Sequence, residues 1–381
     1  MHSMVRAHKL IAFVSNSAWS VYNFRLDVIR DLMSKGFEVM VLAPDDEYST
    51  YLQESGCRFI PLDFNNKTKS LTADLAFYRQ LRELYRTHRP DFIFHYVAKP
   101  NIYGSLAAAA VGIPSVAVIT GLGYPFAKRN WLYHVVKQLY KRALRKTREV
   151  WFLNNEDAKI FINEHIVNIE KVKVLPGEGV DTDYFSFTQR NARKETEPFT
   201  FLMSTRLLKS KGISLYADAA RILRKKHYDV RFELIGFFEQ HHPDSISQED
   251  LDRWQKEGLI HYGGFAKDVR PFLQRADCFV FPSFYNEGVP RCLMEAASME
   301  LPVITSNNRG CKEVVVNGNT GFLCNVHDPF DLADKMEKIL NLPVEERTRL
   351  GRNGRALVIK KFNIRNVIDE YVATLNADWA E

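Results

Sequence analysis

No two cysteines in this chain stand at the C-x-x-C spacing of a redox motif, and Cys57, Cys278, Cys292, Cys311 and Cys324 form no metal-ligand pattern. A disulfide scaffold and a cysteine-held metal centre are set aside, leaving a reduced, cytosolic chain as the simplest reading. Long hydrophobic runs are also missing. The uncharged stretch from Pro100 to Phe126 is interrupted at Gly112-Ile113-Pro114, which makes it a buried helix, a turn and a strand rather than a membrane span. The apolar run Leu10-Ile11-Ala12-Phe13-Val14 stops at Ser15-Asn16-Ser17, too early for a signal peptide, and reads as a first buried strand. No G-x-G-x-x-G follows that strand, which weakens a dehydrogenase reading. Charge of one sign is not in excess either: a net +6 over 381 residues is mild and gives no ground for a nucleic-acid partner.

The chain does contain a regular alternation. Short apolar runs at Lys9–Ser15, Glu38–Ala43, Cys57–Leu62, Asp91–Val97, Ser115–Thr120 and Glu149–Leu153 are separated by helical spacing at Phe24–Lys35, Thr72–His88 and Arg129–Thr147. Strand-helix alternation predicts a parallel, doubly wound sheet. The same grammar restarts at Phe199 and continues to about Ile339, after a stretch from Thr188 to Pro198 with a single small apolar residue. That stretch reads as a linker. Two Rossmann-like domains are therefore expected, residues 1–187 and 188–362, followed by a terminal helical segment, 363–381.

The second half holds the most informative residues. Glu287 and Glu295 flank Gly288-Val289-Pro290, just beyond the strand pattern Asp277–Ser283. Pro290 suits the first position of a helix, so Glu287 is expected in the loop ahead of it and Glu295 in its second turn. The free N–H groups of a helix start suit a phosphate, and the two carboxylates suit the hydroxyls of a sugar and of a ribose. Upstream, the strand Phe199–Thr205 runs into Arg206-Leu207-Leu208-Lys209-Ser210-Lys211-Gly212. Arg206 and Lys211 then stand at the carboxyl edge of a parallel strand, where such sheets bind ligands. Two cations there would neutralise a diphosphate. Together the segments predict a nucleotide-sugar site.

With Lys173–Asp181, Phe185 and Asn317-Gly318-Asn319-Thr320-Gly321-Phe322-Leu323 added, the chain resembles the family-four retaining glycosyltransferases. That resemblance implies the GT-B architecture, two Rossmann-like parallel-sheet domains facing across a cleft. Ser20–Arg25, Ala98-Lys99-Pro100-Asn101 and Gly121-Leu122-Gly123-Tyr124 are similar to bacterial members that extend undecaprenyl-diphosphate-linked glycans, including N-acetylgalactosaminyltransferases of N-glycosylation and capsule and O-antigen enzymes. The implied activity is transfer of an N-acetylated hexosamine from a UDP-sugar to a polyprenyl-diphosphate-linked glycan, with retained configuration, peripherally on the cytoplasmic membrane face. Transfer to a soluble acceptor, a nucleotide-sugar epimerase and a catalytically silent binding protein remain as alternatives.

The resemblance also distributes roles. Arg206 and Lys211 would stabilise the departing diphosphate with N–H groups around Gly288 and Val289, Glu287 would hold the donor sugar, Glu295 the ribose, and Gly264 and Phe265 the base. The first domain would take the acceptor through Asn16, Arg25, Lys99 and Asn101. A histidine that many members carry near Thr120 is replaced here by Gly121-Leu122-Gly123, which leaves His95 as a substitute weighed against an ordinary core histidine. Asp181-Thr182-Asp183 matches a metal-holding D-x-D, but three residues in the interdomain segment are a weak signal, and no divalent metal is expected.

The segment Ala127–Arg148 carries Lys128, Arg129, Lys137, Lys141, Arg142, Arg145, Lys146 and Arg148 and no carboxylate. At helical spacing Lys137, Lys141, Arg145 and Arg148 share one side, with Arg142 and Lys146 beside them. The bland expectation is a solvated basic face; the sharper one is contact with an anionic membrane surface, with Trp131 and Tyr133 at the headgroups.

Overall fold

The computed structural model of the protein describes residues 8–64, 70–123, 126, 130–186, 197–226, 229–239 and 242–379. The linker expected at 188–198 lies almost wholly outside them, as do Lys128 and Arg129. The chain forms two compact units, residues 1–178 with 364–381, and residues 179–363.

The unit boundary falls at Glu178–Gly179 rather than at 187/188. The reason is that residues 179–186 are bonded into the second unit. Val180 N–H donates to the Phe362 carbonyl at 2.9 Å, Asn363 Nδ2 to Thr182 Oγ1 at 2.7 Å, and Arg355 Nη1 to the Phe185 carbonyl at 3.1 Å. Val180 and Phe185 are buried in that unit's core.

In the first unit, strands β1 (Leu10–Val14), β2 (Glu38–Ala43), β3 (Arg58–Pro61), β4 (Phe92–Tyr96), β5 (Ser115–Ile119), β6 (Glu149–Phe152) and β7 (Val172–Val174) form a parallel sheet. Their order is β3-β2-β1-β4-β5-β6-β7, with Ala12 of β1 opposite Met40 and Ile93. β1, β4 and β5 are buried along their whole length, as strands covered on both faces must be, and this accounts for their unbroken apolar composition. The helices are α1 (Ala18–Ser34), α2 (Tyr48–Glu54), α3 (Leu71–His88), α4 (Ser105–Val111), α5 (Trp131–Ala143) and α6 (Asn155–Asn163).

The second unit has β8 (Phe199–Ser204), β9 (Val230–Ile235), β10 (His261–Tyr262), β11 (Cys278–Phe281), β12 (Val303–Ser306) and β13 (Gly321–Cys324), in the order β10-β9-β8-β11-β12-β13. Its helices are α7 (Ile213–Arg224), α8 (Gln248–Lys256), α9 (Arg270–Arg275), α10 (Arg291–Ser298), α11 (Pro329–Asn341) and α12 (Val344–Lys361). The last helix, α13 (Ile364–Trp379), belongs to the first unit. Its Val367, Tyr371 and Leu375 pack in a core with Phe13, Phe94 and Trp151, and the Tyr371 hydroxyl meets that of Tyr96 at 2.8 Å.

Two helices depart from their sequence spacing. α1 starts at Ala18 rather than near Phe24 because Ser17 caps it, its hydroxyl accepting from Ser20 N–H at 3.2 Å. α5 stops at Ala143 instead of Thr147, with Leu144 as its cap. Among the described residues no helix is long and apolar enough to cross a membrane.

Candidate active site

Within the second sheet β8 pairs with β11 on one side and β9 on the other, so connections leave in opposite directions from the carboxyl ends of β8 and β11. Open parallel sheets bind ligands at such a switch point. The loop after β8 carries Arg206 and Lys211; the loop after β11 carries Glu287. The two loops are locked together. Phe284 N–H donates to the Ser210 carbonyl at 3.0 Å, and Gly212, at φ +83°, approaches so closely that a Cβ would stand 2.2 Å from the Pro282 oxygen.

Lys211, only 8% exposed, places its Nζ 2.5 Å from Glu287 Oε1. Ser283, fully buried, puts its hydroxyl 2.9 Å from the same carboxylate oxygen. The ammonium also lies 5.1 Å from the centre of the Tyr285 ring. Arg206 differs: its side chain is 48% exposed and its nearest carboxylate is Glu239, at 3.8 Å. The β8 loop thus presents one cation fixed by a buried partner and one extended into solvent.

A third loop supports these two. Gly310 follows β12 at φ +72°, where a Cβ would be 2.0 Å from the Gly288 oxygen and 2.6 Å from that of Glu287. Asn308 Nδ2 donates to the Tyr285 carbonyl at 2.7 Å. Pro290 is the capping residue rather than the first helical one, and α10 begins at Arg291. Glu295 lies in the second turn, as expected, with its side chain 17% exposed and Arg291 Nε 3.1 Å from Oε1. Burial pushes the Glu295 carboxyl above its ordinary range, and Arg291 opposes that. Burial, with Glu295 and Glu287 nearby, raises the Cys292 thiol well above its usual value and makes it unreactive.

At the carboxyl ends of β9 and β10, Gly264 accepts the Gly236 N–H at 2.9 Å. Phe265 is 55% exposed, with its ring edge-on to Phe237 at 6.1 Å. Asp181 Oδ1 accepts from the N–H groups of Asp183 and Tyr184, each at 2.9 Å, so this aspartate closes a local turn.

The first-unit candidates divide. β1 and β4 form the corresponding switch point, and Asn16 and Lys99 lie just beyond them. Asn16 is half-buried, and Lys99 is paired with Asp74 at 2.9 Å with 20% of its side chain exposed. Val97, between β4 and Lys99, has φ +62°, a conformation that β-branched residues rarely adopt. Arg25 and Asn101 are buried and bonded within the unit. Arg25 is 5% exposed, forks onto both carboxylate oxygens of Glu178, with Nη2 2.7 Å from Oε1, and lies over the Tyr96 ring. Asn101 is fully buried and donates to the Val118 carbonyl at 2.9 Å. Both side chains bond within the unit, although Arg25 Nε and Asn101 Oδ1 are buried with no hydrogen-bond partner among the described residues.

His95 is likewise a core residue. It is fully buried, its Nε2 sits 3.0 Å from the Tyr85 hydroxyl, and burial lowers its pKa to about 3. It stays neutral and does not reach solvent.

The expected basic face over 137–148 breaks up because α5 ends at Ala143. Lys137 pairs with Glu164 at 2.6 Å, and Arg148 leads into β6 with its guanidinium 3.6 Å from Asp378. Lys141, Arg142, Arg145 and Lys146 are exposed and, among the described residues, have no carboxylate partner. Trp131 is 75% and Val135 44% exposed on the same helix.

Ser283, Tyr285, Arg291 and Gly310 escaped the sequence reading. Gly310 carries a signal: Asn307-Asn308-Arg309-Gly310 is turn chemistry directly after an apolar run. For Ser283, a buried hydroxyl facing a carboxylate, the linear sequence carries none.

Comparison with known proteins agrees with this architecture. The glycosyl transferases group 1 family matches residues 185–357, and the glycosyl transferase 4-like domain matches 23–178. The chain is 28% identical over 89% of its length to the N,N'-diacetylbacillosaminyl-diphospho-undecaprenol alpha-1,3-N-acetylgalactosaminyltransferase of Campylobacter jejuni, of which 91% is covered. It is 27% identical over 86% of its length to the UDP-Gal:alpha-D-GlcNAc-diphosphoundecaprenol alpha-1,3-galactosyltransferase of Escherichia coli, of which 83% is covered. Among solved structures, HepE of Anabaena in complex with UDP-glucose matches with a TM-score of 0.81 at 19% identity, covering 97% of this chain and 100% of that one. Two parallel-sheet units, a cation pair and carboxylates at the second unit's switch point, and these two family matches make the chain a GT-B glycosyltransferase with a 4-like first domain and a group 1 second domain.

Proposed function

We propose that the protein transfers a sugar from a UDP-sugar to a polyprenyl-diphosphate-linked glycan, with retained anomeric configuration, during bacterial surface-glycan assembly. The observation that carries this reading is the Lys211–Glu287 ion pair, largely buried at the β8/β11 switch point, with Glu295 on the adjoining helix. In sugar transfer, negative charge grows on the departing diphosphate while the sugar becomes oxocarbenium-like, and preorganised donors aimed at that charge lower the barrier. Lys211 is preorganised by Glu287, which Ser283 holds in turn; Arg206 is the exposed second cation. N–H groups around Gly288 and Val289 assist. Glu287 offers its carboxylate to donor-sugar hydroxyls, Glu295 accepts from the ribose, and Gly264 with Phe265 takes the base. In the first unit Asn16 and Lys99 are assigned to the acceptor. The donor is assigned as an N-acetylhexosamine, since the Campylobacter relative's name specifies one on a diphospho-undecaprenol acceptor.

The test is incubation of purified protein with a panel of radiolabelled UDP-sugars, with and without polyprenyl-diphosphate glycan extract. Label is expected in the lipid fraction for one N-acetylhexosamine donor. Free or isomerised sugar without extract would instead mean hydrolysis or epimerisation, and UDP-sugar binding without turnover a silent binding protein. With two cations serving the diphosphate, activity is expected to survive EDTA; complete loss restored by magnesium would bring Asp181 and Asp183 back as metal ligands.

Access to a lipid-linked acceptor is assigned to peripheral attachment at the cytoplasmic membrane face. Lys141, Arg142, Arg145 and Lys146, without a carboxylate partner among the described residues, stand with exposed Trp131 and Val135. They suit an anionic surface, where each cation contributes ~1 kcal/mol. The protein should co-sediment with anionic but not zwitterionic vesicles and be released by salt. Changing the four cations to glutamate should abolish this, whereas Lys137→Glu should leave the vesicle contact itself intact. Equal vesicle binding by the folded fourfold variant would exclude these four cations as the contact.

A further inference from the structure

Arg291 is at odds with the local electrostatics of its helix. α10 runs Arg291–Ser298 with no acidic residue in its first turn. A cation at the first position faces the positive end of the helix dipole, where an anion is favoured. Arginine ahead of glutamate at i,i+4 is also the less favourable order for such a pair. Where a sequence breaks a local rule, a functional demand is the first place to look. Here the demand is visible in the geometry: Arg291 Nε lies 3.1 Å from Glu295 Oε1, with only 20% and 17% of the two side chains exposed. A carboxylate has about four acceptor sites, so an ion-paired Glu295 retains acceptor capacity for a diol.

We propose that Arg291 is a positioning residue of the donor site, which turns the Glu295 carboxylate so that it accepts the two ribose hydroxyls of a nucleoside diphosphate. This rests on the assignment of Glu295 to the ribose in the proposed function. Burial favours the neutral Glu295 carboxyl and Arg291 opposes it, so the cation acts on the carboxylate in the same sense as the 3.1 Å contact that orients it. The buried Cys292 thiol of the same helix lies beside Glu295, with Glu287, Lys211 and Cys311 acting on it as well. A direct role for Arg291 on the diphosphate is the competing interpretation, and it makes a different prediction.

The experiment measures binding of UDP and of 2′,3′-dideoxy-UDP to wild type, Arg291→Gln, Arg291→Lys, Glu295→Gln and the Arg291→Gln/Glu295→Gln double variant. Hydrogen bonds to a charged acceptor make wild type prefer UDP by ~10-fold or more. Arg291→Gln should lose most of that preference while its affinity for dideoxy-UDP stays within about twofold, and Arg291→Lys should restore part of it. The double variant should match Glu295→Gln, because the two residues act as one unit. Equal weakening of both nucleotides in Arg291→Gln, with the preference kept, would show a phosphate contact and overturn the inference alone. If wild type and Glu295→Gln already bind both nucleotides equally, the ribose assignment fails and the inference fails with it. Should Arg291→Gln not fold, Arg291→Lys carries the test: an unchanged preference in that variant, with affinity for both nucleotides reduced, overturns the positioning role.

Discussion

Lys211→Ala is expected to lower kcat by ~10²-fold or more and to destabilise the second unit by ~3–5 kcal/mol, the usual consequence of removing one partner of a buried pair. The two effects share a cause. Lys211 and Glu287 are 2.5 Å apart, with 11% and 13% of their side chains exposed, so deleting the ammonium leaves a carboxylate deprived of water with Ser283 at 2.9 Å as a neutral partner. Arg206→Ala should cost kcat similarly while leaving the unfolding free energy within about 0.5 kcal/mol of wild type, since that side chain is 48% exposed and 3.8 Å from Glu239. Lys211→Met with Glu287→Gln should recover most of the stability but none of the turnover. Paired urea unfolding and steady-state kinetics read both quantities. Normal turnover in Lys211→Ala would remove the ammonium from the leaving-group role, and normal stability would show that Glu287 finds another counter-charge.

The contrast between these two cations marks how far the sequence was readable. Arg206 and Lys211 were both placed at a strand edge by a simple rule: an apolar run ends, and the next polar residues are exposed at the carboxyl end of a parallel sheet. The same rule placed Asn16 and Lys99 beyond their strands, whereas Glu287 and Glu295 were placed by Pro290, which marks the helix start they flank. Depth is beyond the rule's reach. Whether a polar residue beyond a strand meets solvent or a partner far along the chain depends on tertiary packing. Arg25 is the clearest case, because its partner Glu178 lies at the last position before the second unit and nothing near Arg25 in sequence announces it. Asn101 reads as a ligand-facing amide after β4 but turns inward to the Val118 carbonyl.

Helical spacing over 127–148 failed for a related reason. Period alone extends a helix until something stops it, and no proline or glycine does so here. The stop comes from Leu144 and Thr147, both buried, with Thr147 Oγ1 donating to the Leu144 carbonyl at 3.0 Å. Arg148 is then drawn to β5, its N–H donating to the Ser115 carbonyl at 2.8 Å. The boundary near Thr188 erred similarly: a polar stretch marks where no core forms, yet the chain had already joined the second unit at Val180 and Phe185.

Gly310→Ala is expected to cost ~10²-fold in kcat although residue 310 carries no side chain. Two penalties apply. At φ +72° an alanine adopts a sparsely populated conformation, which costs about 1–3 kcal/mol. In addition its Cβ would stand 2.0 Å from the Gly288 oxygen and 2.6 Å from that of Glu287, a separation no real contact sustains, so the peptide carrying the donor-site carboxylate must move. A misplacement of about 1 Å in a catalytic constellation can cost ~10²-fold. Gly318→Ala separates the two penalties. Gly318 has a similar φ of +78° with nothing within 4 Å of its Cβ position, so it should show the backbone strain alone: a stability loss of about 1–2 kcal/mol with kcat close to wild type. UDP-sugar turnover and urea midpoints for both variants decide the matter. If Gly310→Ala and Gly318→Ala lose equal stability and both keep full kcat, the β12 loop does not position Glu287, and the close approach of Gly310 to Gly288 is packing without consequence for the chemistry.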